Sequence, residues 1–264
     1  MNRLLLNDSS LIKSGVLETQ YFVVDENIDK INIPDNSKAD ILFLSLPKEK
    51  DFIINVDKNS ELSVAILAKN NIDDCRLTIN AREGAKIEAY LADFTKGKET
   101  FKFVANLLEK NAVMNWHLAS LTAGSDNKSF DVSVNHNSPS TFARMDNYGV
   151  CKDDGKLVFS GISSIFNGSK RSKTHQNSKI MVFDKLSNGI AKPILKIDEN
   201  DIEASHAAVV GKINDEHLFY LTSRGLTESA AKELITFGYL KPIMNGFIDE
   251  EIKGEISALI EERM

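Results

Sequence analysis

From about residue 20 to 222 the apolar positions of this chain recur every second residue rather than at helical spacing. Short runs of this kind are Asp40–Leu46, Asp51–Val56, Glu61–Leu67, Cys75–Asn80 and Lys86–Leu91. Val113–Leu118, Phe130–Asn135, Leu157–Ile162 and Lys179–Phe183 continue the series, and Asn, Asp, Gly and Ser punctuate it. Many short strands with hardly a helical window between them exclude a doubly wound α/β fold, which needs a helix after nearly every strand.

A weak repeat underlies the alternation. Asn59–Leu67 can be laid over Glu83–Leu91 and over Lys110–Leu118, each a polar turn, a small residue and an alternating run ending in leucine. The terminal leucines Leu67, Leu91 and Leu118 are 24 and 27 residues apart. That spacing suits one coil of a parallel β-solenoid, whose stacked rungs bury a continuous core. A meandering sandwich also repeats short strands, and the pattern alone leaves both open.

Beyond Gly225 the period changes. Thr227 reads as a helix N-cap with Glu228 in the first turn, and Ala230, Leu234, Ile235 and Phe237 recur near helical spacing until Gly238 and Pro242. Asp249 reads as the cap of a last helix with Ile252, Ile256, Leu259 and Ile260 on one stripe. Such a stripe must be buried, against the body of the protein or against a partner.

Composition narrows the function classes. With 42% hydrophobic and 27% charged residues, the 264-residue chain is ordinary for a globular protein and long enough for one large or two modest domains. The formal charge of -6 argues against general binding to phosphate backbones, and Lys170-Arg171-Ser172-Lys173 reads as a solvated loop. The two cysteines, Cys75 and Cys151, stand in neither CxxC nor Cys/His spacing, so they read as quiet thiols of a reducing compartment. Met1–Asp8 does not read as a secretory signal, and Ile41–Leu46 is far shorter than a membrane span. A soluble, cytoplasmic protein is expected. No P-loop, Ser/His/Asp order or HExxH supports a hydrolase or kinase.

One ordered set of segments carries more. It runs from Asn135-His136 through Gly155 and Phe159-Ser-Gly161, Thr174-His-Gln-Asn177 and Pro193–Ile197. Asp201–His206, Gly211, Leu218-Phe-Tyr220 and Ser223-Arg-Gly225 complete it, leading into an Ala-rich helix. Over residues 136 to 239 this series resembles the SufB/SufD family of iron–sulfur cluster assembly scaffolds. The resemblance implies a right-handed parallel β-helix with a small C-terminal α-helical domain. It also implies pairing through the end of the β-helix, with a SufB-like paralogue or a second copy of the chain. The helical domain, region 227–264, would dock a SufC-like ABC-type ATPase. A transient iron–sulfur cluster would be held with the partner subunit, with none tightly bound to the isolated chain. Leu221 stands where the cysteine-bearing member has Cys, and Ala207 where it has Glu after the histidine, so the chain is SufD-like.

These readings divide the chain into an N-terminal segment (1–20), a β-helix core (21–223) and a helical domain (224–264). His206 alone reads as a core histidine; with the resemblance it becomes the candidate iron ligand at the dimer interface. His136 and His175 fall in the matched span without an assigned role, His217 reads as a solvated turn residue, and His117 as surface or core. Arg224 is expected to cap carbonyls or pair with a carboxylate at a β-to-α junction. Cys151 is a remote candidate for sulfur transfer. The rival readings are a β-helical polysaccharide-active enzyme, which needs carboxylates clustered on one solenoid face, and a purely structural protein-binding solenoid.

Overall fold

A computed structural model describes residues 4–8, 11–12, 20–24, 28–46 and 51–264. The alternating runs become sixteen strands among these residues. They are β1 (Leu4–Leu6), β2 (Gln20–Val24), β3 (Lys30–Ile33), β4 (Lys38–Phe43), β5 (Asp51–Val56), β6 (Glu61–Ala68), β7 (Cys75–Ala81) and β8 (Lys86–Asp93). The series continues with β9 (Lys98–Leu107), β10 (Val113–Thr122), β11 (Asn127–His136), β12 (Phe142–Cys151), β13 (Lys156–Ile165), β14 (Ser172–Val182), β15 (Asn188–Ile197) and β16 (Ile202–Lys212). Of the N-terminal segment 1–20, residues 1–3, 9–10 and 13–19 lie outside the described residues.

The strands form two parallel sheets. One runs β1-β2-β4-β6-β8-β10-β12-β14-β16, the other β15-β13-β11-β9-β7-β5-β3. The chain thus alternates between sheets from β2 onward, each strand stacking on the strand two before it. This is a parallel β-solenoid, and the sandwich is ruled out. Strands β1, β2, β3, β9, β12, β15 and β16 have no counterpart among the nine periodic runs quoted above.

Its interior is made of in-register columns. Phe101, Phe130 and Phe159 stack from β9 to β13, and Trp116 packs across the lumen with its ring centre 4.1 Å from that of Phe103. On the outer face Asn32, Asn55, Asn80, Asn106 and Asn135 form an amide ladder, each donating to the one before it at 2.8–2.9 Å. Such ladders repeat one bond per rung and hold register. The corner entering the first sheet repeats a left-handed residue: Asn36, Asn59, Gly84, Asn111, Ser140 and Arg171 all have φ between 54° and 67°. Asn and Gly adopt this region most readily, which explains the turn punctuation.

Register corrects one overlay. Glu83–Leu91 and Lys110–Leu118 stack as expected, Leu91 opposite Leu118. The earlier pair is slipped by one: Ile66, not Leu67, lies opposite Leu91. Both faces of β6 are buried here, Ile66 in the lumen and Leu67 under the C-terminal helices, so alternation could not distinguish them.

The chain leaves the solenoid through α1 (Asp215–Ser223), α2 (Glu228–Leu240), a 3-10 turn (Lys241–Gly246) and α3 (Glu250–Glu262). His217–Thr222, which falls at the end of the span where alternation predicts strands, is therefore a helix, and His217 lies on it rather than in a turn. Asn214 accepts from the Glu216 and His217 amides at 2.8 and 3.1 Å, and Asp215 and Glu216 fill the first turn, which selects helix over the aromatic run's strand propensity. Thr227 and Asp249 cap α2 and α3 as expected. The α2 helix passes through Gly238, ending two residues before Pro242.

The body of the protein covers the last stripe. Ile252, Ile256 and Ile260 are buried with Leu240, Ile243 and Phe247 against Leu42, Leu67, Ala92, Leu121 and Val150 on the outer face of the larger sheet. Gly246 sits against the Tyr90 ring, where a Cβ would collide with Cγ. Lys69–Glu255 (2.6 Å) and Lys96–Glu262 (3.1 Å) flank the seam, and Arg263 pairs with buried Asp126 at its end.

Candidate functional site at the open end of the solenoid

The two terminal strands, β15 and β16, each have a neighbour on one side among the described residues. Their residues are partly or fully exposed on both faces. This end of the molecule therefore presents unpaired backbone groups and the mouth of the lumen together, a combination open to pairing by another strand.

His206 sits at that mouth. Ser172, Thr174, Gln176, Ser178 and Ile180 are the buried, inward positions of β14, and their register partners on β16 are Ile202, Ala204, His206, Ala208 and Val210. The alternate residues face outward: Glu203 pairs with Lys173 at 2.7 Å, and Ser205 lies 2.8 Å from His175 Nδ1. His206 thus ends an inward column of Ile41, Val64, Ala89, Trp116, Met145 and Gln176, and it is exposed.

The column changes character towards this end. Trp116 Nε1 donates to Asn147 Oδ1 at 3.0 Å, and Asn147 Nδ2 donates to Ser178 Oγ at 3.1 Å. Thr174 Oγ1 donates to Ser163 Oγ at 2.8 Å, and Gln176 Nε2 donates to Ser163 Oγ at 2.9 Å and to the Ile194 carbonyl at 3.0 Å. The last rungs enclose a bonded polar lining where the earlier ones enclose phenylalanine and isoleucine. Sequence reasoning quoted Gln176 without assigning it a role and passed over Asn147. Polar residues at inward positions of β12 and β14 were the available signal.

Exposed apolar groups follow His206 along the chain: Val209 and Val210 on β16, Phe219 and Tyr220 on α1. Phe219 is 74% exposed, and α1 has no buried residue. Leu221 lies on this helix rather than on a strand. Arg224 ends the helix, its amide bonded to the Leu221 carbonyl at 3.1 Å and its guanidinium 5.2 Å from the Tyr220 ring centre. It belongs to an α-helical C-terminus, not to a β-to-α junction.

The other histidines do not join His206. His136 is buried, its Nδ1 2.7 Å from Thr141 Oγ1, and burial lowers its pKa to about 4. His175 faces outward, and His217 lines a groove between α1, α2 and the sheet with Lys179, Val209 and Tyr239. His117 stacks on Tyr90 at 4.6 Å with Glu88 3.4 Å away. Cys75 and Cys151 are both buried, and burial pushes the Cys151 thiol up to about 11, away from nucleophilic reactivity. Among the described residues no three His, Cys, Asp or Glu side chains gather in metal-binding geometry.

A buried charge centre lies elsewhere. Lys128 Nζ is 2.7 Å from Asp93 Oδ2 and 3.7 Å from Glu99 Oε2, all three side chains fully enclosed. Burial opposes the charge on Asp93, but the Lys128 ammonium outweighs it and holds the group below its usual range. Burial, then repulsion from Asp93, pushes Glu99 up to about 7.

Comparisons with known proteins give the family. The family model described as "SUF system FeS cluster assembly, SufBD core domain" matches residues 35–239, extending well N-terminal of the segment series. The iron–sulfur cluster assembly protein SufD of Bacillus subtilis is 28% identical over 232 residues, covering 84% of this chain and 53% of that protein. SufD of Escherichia coli is 28% identical over 131 residues, 50% of this chain and 31% of the relative. An iron–sulfur cluster assembly SufBD family protein of Staphylococcus saprophyticus is 30% identical over 132 residues, 46% and 28% respectively. The chain spans about half the length of the Bacillus relative and less of the other two. With its solenoid core matched over most of its length, the chain belongs to the SufB/SufD family of iron–sulfur cluster assembly proteins and is SufD-like.

Proposed function

We propose that this chain is a non-enzymatic scaffold subunit of an iron–sulfur cluster assembly complex. It dimerises through the open end of its solenoid, with a SufB-like paralogue or a second copy of itself. His206 supplies an imidazole to a transient cluster, which is cargo, and a SufC-like ABC ATPase docks on the C-terminal helices.

The observation that carries the reading is the coincidence at one end face of an unpaired β16 edge, exposed Val209 and Val210, and inward-column His206. A partner strand would satisfy the edge and cover the valines. A neutral imidazole offers one free nitrogen to iron, and a partner's thiolates would complete the coordination; mixed His/Cys ligation is established iron–sulfur chemistry. For the ATPase, Leu234 on α2 and Ile248 ahead of α3 remain exposed while the α3 stripe is buried. No described helix is long and apolar enough to cross a membrane.

Anaerobic reconstitution with iron and sulfide tests the proposal. The chain mixed with its cysteine-bearing paralogue and the ATPase should develop charge-transfer absorbance that this chain alone lacks. A mixture whose absorbance equals that of the paralogue with the ATPase would defeat the scaffold role and favour a purely structural solenoid.

A further inference from the structure

The residue beneath His206 in the inward column has an unanswered acceptor. Gln176 is 4% exposed and in register with His206. Its amide nitrogen faces the Ile194 carbonyl, which can only accept, so the nitrogen and oxygen ends of the amide are not interchangeable. With Nε2 also bonded to Ser163, the side chain is tied to both β13 and β15. Oε1, at the other end, is buried without a hydrogen-bond partner among the described residues.

The seat around that oxygen is built. Gly161 stands on the inward face of β13 between Val132 and Pro193 in register. A Cβ on Gly161 would lie 2.7 Å from Gln176 Oε1. A glycine in this column, flanked by bulkier residues, leaves the space the oxygen occupies. Adjacent strands lie about 4.8 Å apart, and residues in register project to the same side, so the exposed ring of His206 can turn to within bonding range of the amide below.

We propose that Gln176 is a positioning residue for His206: its Oε1 accepts one imidazole N–H, which fixes the tautomer and leaves the other ring nitrogen unprotonated and directed to the end face. A histidine ligand commonly has its second nitrogen held by such an acceptor. This inference rests on the cluster-ligand reading of His206 but concerns the state of the ring before any iron arrives.

The test is the tautomer of His206 in the full chain, labelled with ¹⁵N-histidine and read by long-range ¹H–¹⁵N correlation at pH 8 without metal. The parent chain should show a single tautomer at His206. Gln176→Met, which keeps length and volume but removes the acceptor, should convert it to a mixture of both. Gly161→Ala, which displaces Oε1 from across the lumen and leaves His206 untouched, should do the same. Circular dichroism confirms the fold of each variant, and should Gly161→Ala not fold, Gln176→Met carries the test. A single tautomer unchanged in the folded variants, or a mixture already in the parent, overturns the proposal. A tautomer that responds to Gln176 while His206→Ala assembles clusters normally leaves the positioning intact and refutes the ligand reading instead.

Discussion

The indole nitrogen of Trp116 donates to Asn147 at 3.0 Å, at the layer where the solenoid interior passes from hydrocarbon to hydrogen-bonded polar groups. Asn147 also donates to Ser178, so it joins three successive strands of the larger sheet, β10, β12 and β14. Asn147→Ala would strand two buried polar groups, each costing about 1–3 kcal/mol when unmade. Urea denaturation should show a loss of about 2–4 kcal/mol with an unchanged m-value. A loss below half a kcal/mol would mean that the polar layer contributes nothing to stability.

The Lys128 centre predicts a pH dependence. A free Glu side chain releases its proton near 4.5, whereas folded Glu99 holds it to about 7. Between those values the folded state binds more protons than the unfolded state, so stability falls as pH rises through this window and levels off above it. Asp93, held low by Lys128, contributes with the opposite sign below its ordinary range. Glu99→Gln should flatten the slope between pH 5 and 7 and raise stability at pH 8 by an amount on the order of 2 kcal/mol. Thermal midpoints at pH 5 and 8 measure this; an undiminished slope in the variant would place its origin elsewhere.

The last helix is part of the body. Ile256 is fully buried against the outer face of the larger sheet, and Ile256→Ala should cost about 2–5 kcal/mol by transfer and cavity terms. Leu234→Asp, at a site 51% exposed on α2, should leave the thermal midpoint within a degree or two and reduce ATPase binding in a pull-down. Unchanged capture by that variant would move the docking surface off this part of α2.

At the open end, Val209→Glu places a charge on an exposed outward position of the terminal strand, which pairs with β14 on one side. Sedimentation should find the monomer where the parent chain dimerises, with circular dichroism unchanged. An intact dimer in the variant contradicts pairing along this part of β16.

The solenoid was legible because its stacking repeats one physical unit. Turn Asn residues two positions before β4, β6 and β10 mark the left-handed corner, and the runs after them alternate. Legibility failed where both faces of a strand are buried, as at Ile66 and Leu67, since period two then carries no information about direction. It failed again at Leu218–Thr222, whose residues favour strands by propensity but follow an Asn cap and two acids at the end of the β stack. His206 was marked by resemblance, not by its surroundings. Its inward direction depends on the pairing of β16 with β14, which no local pattern encodes, and the same pairing brings Gln176 beneath it.

The most direct test of the central claim is cluster yield in the complete complex carrying His206→Ala. The ring is exposed and Ala is compatible with the strand, so the variant should fold and associate as the parent does. Reconstituted anaerobically with its partner and the ATPase, it should hold at most about a tenth of the parent's iron and sulfide, roughly the effect of losing 1.4 kcal/mol or more of binding. Normal iron and sulfide content in a complex of normal size would contradict the assignment of His206 as a cluster ligand.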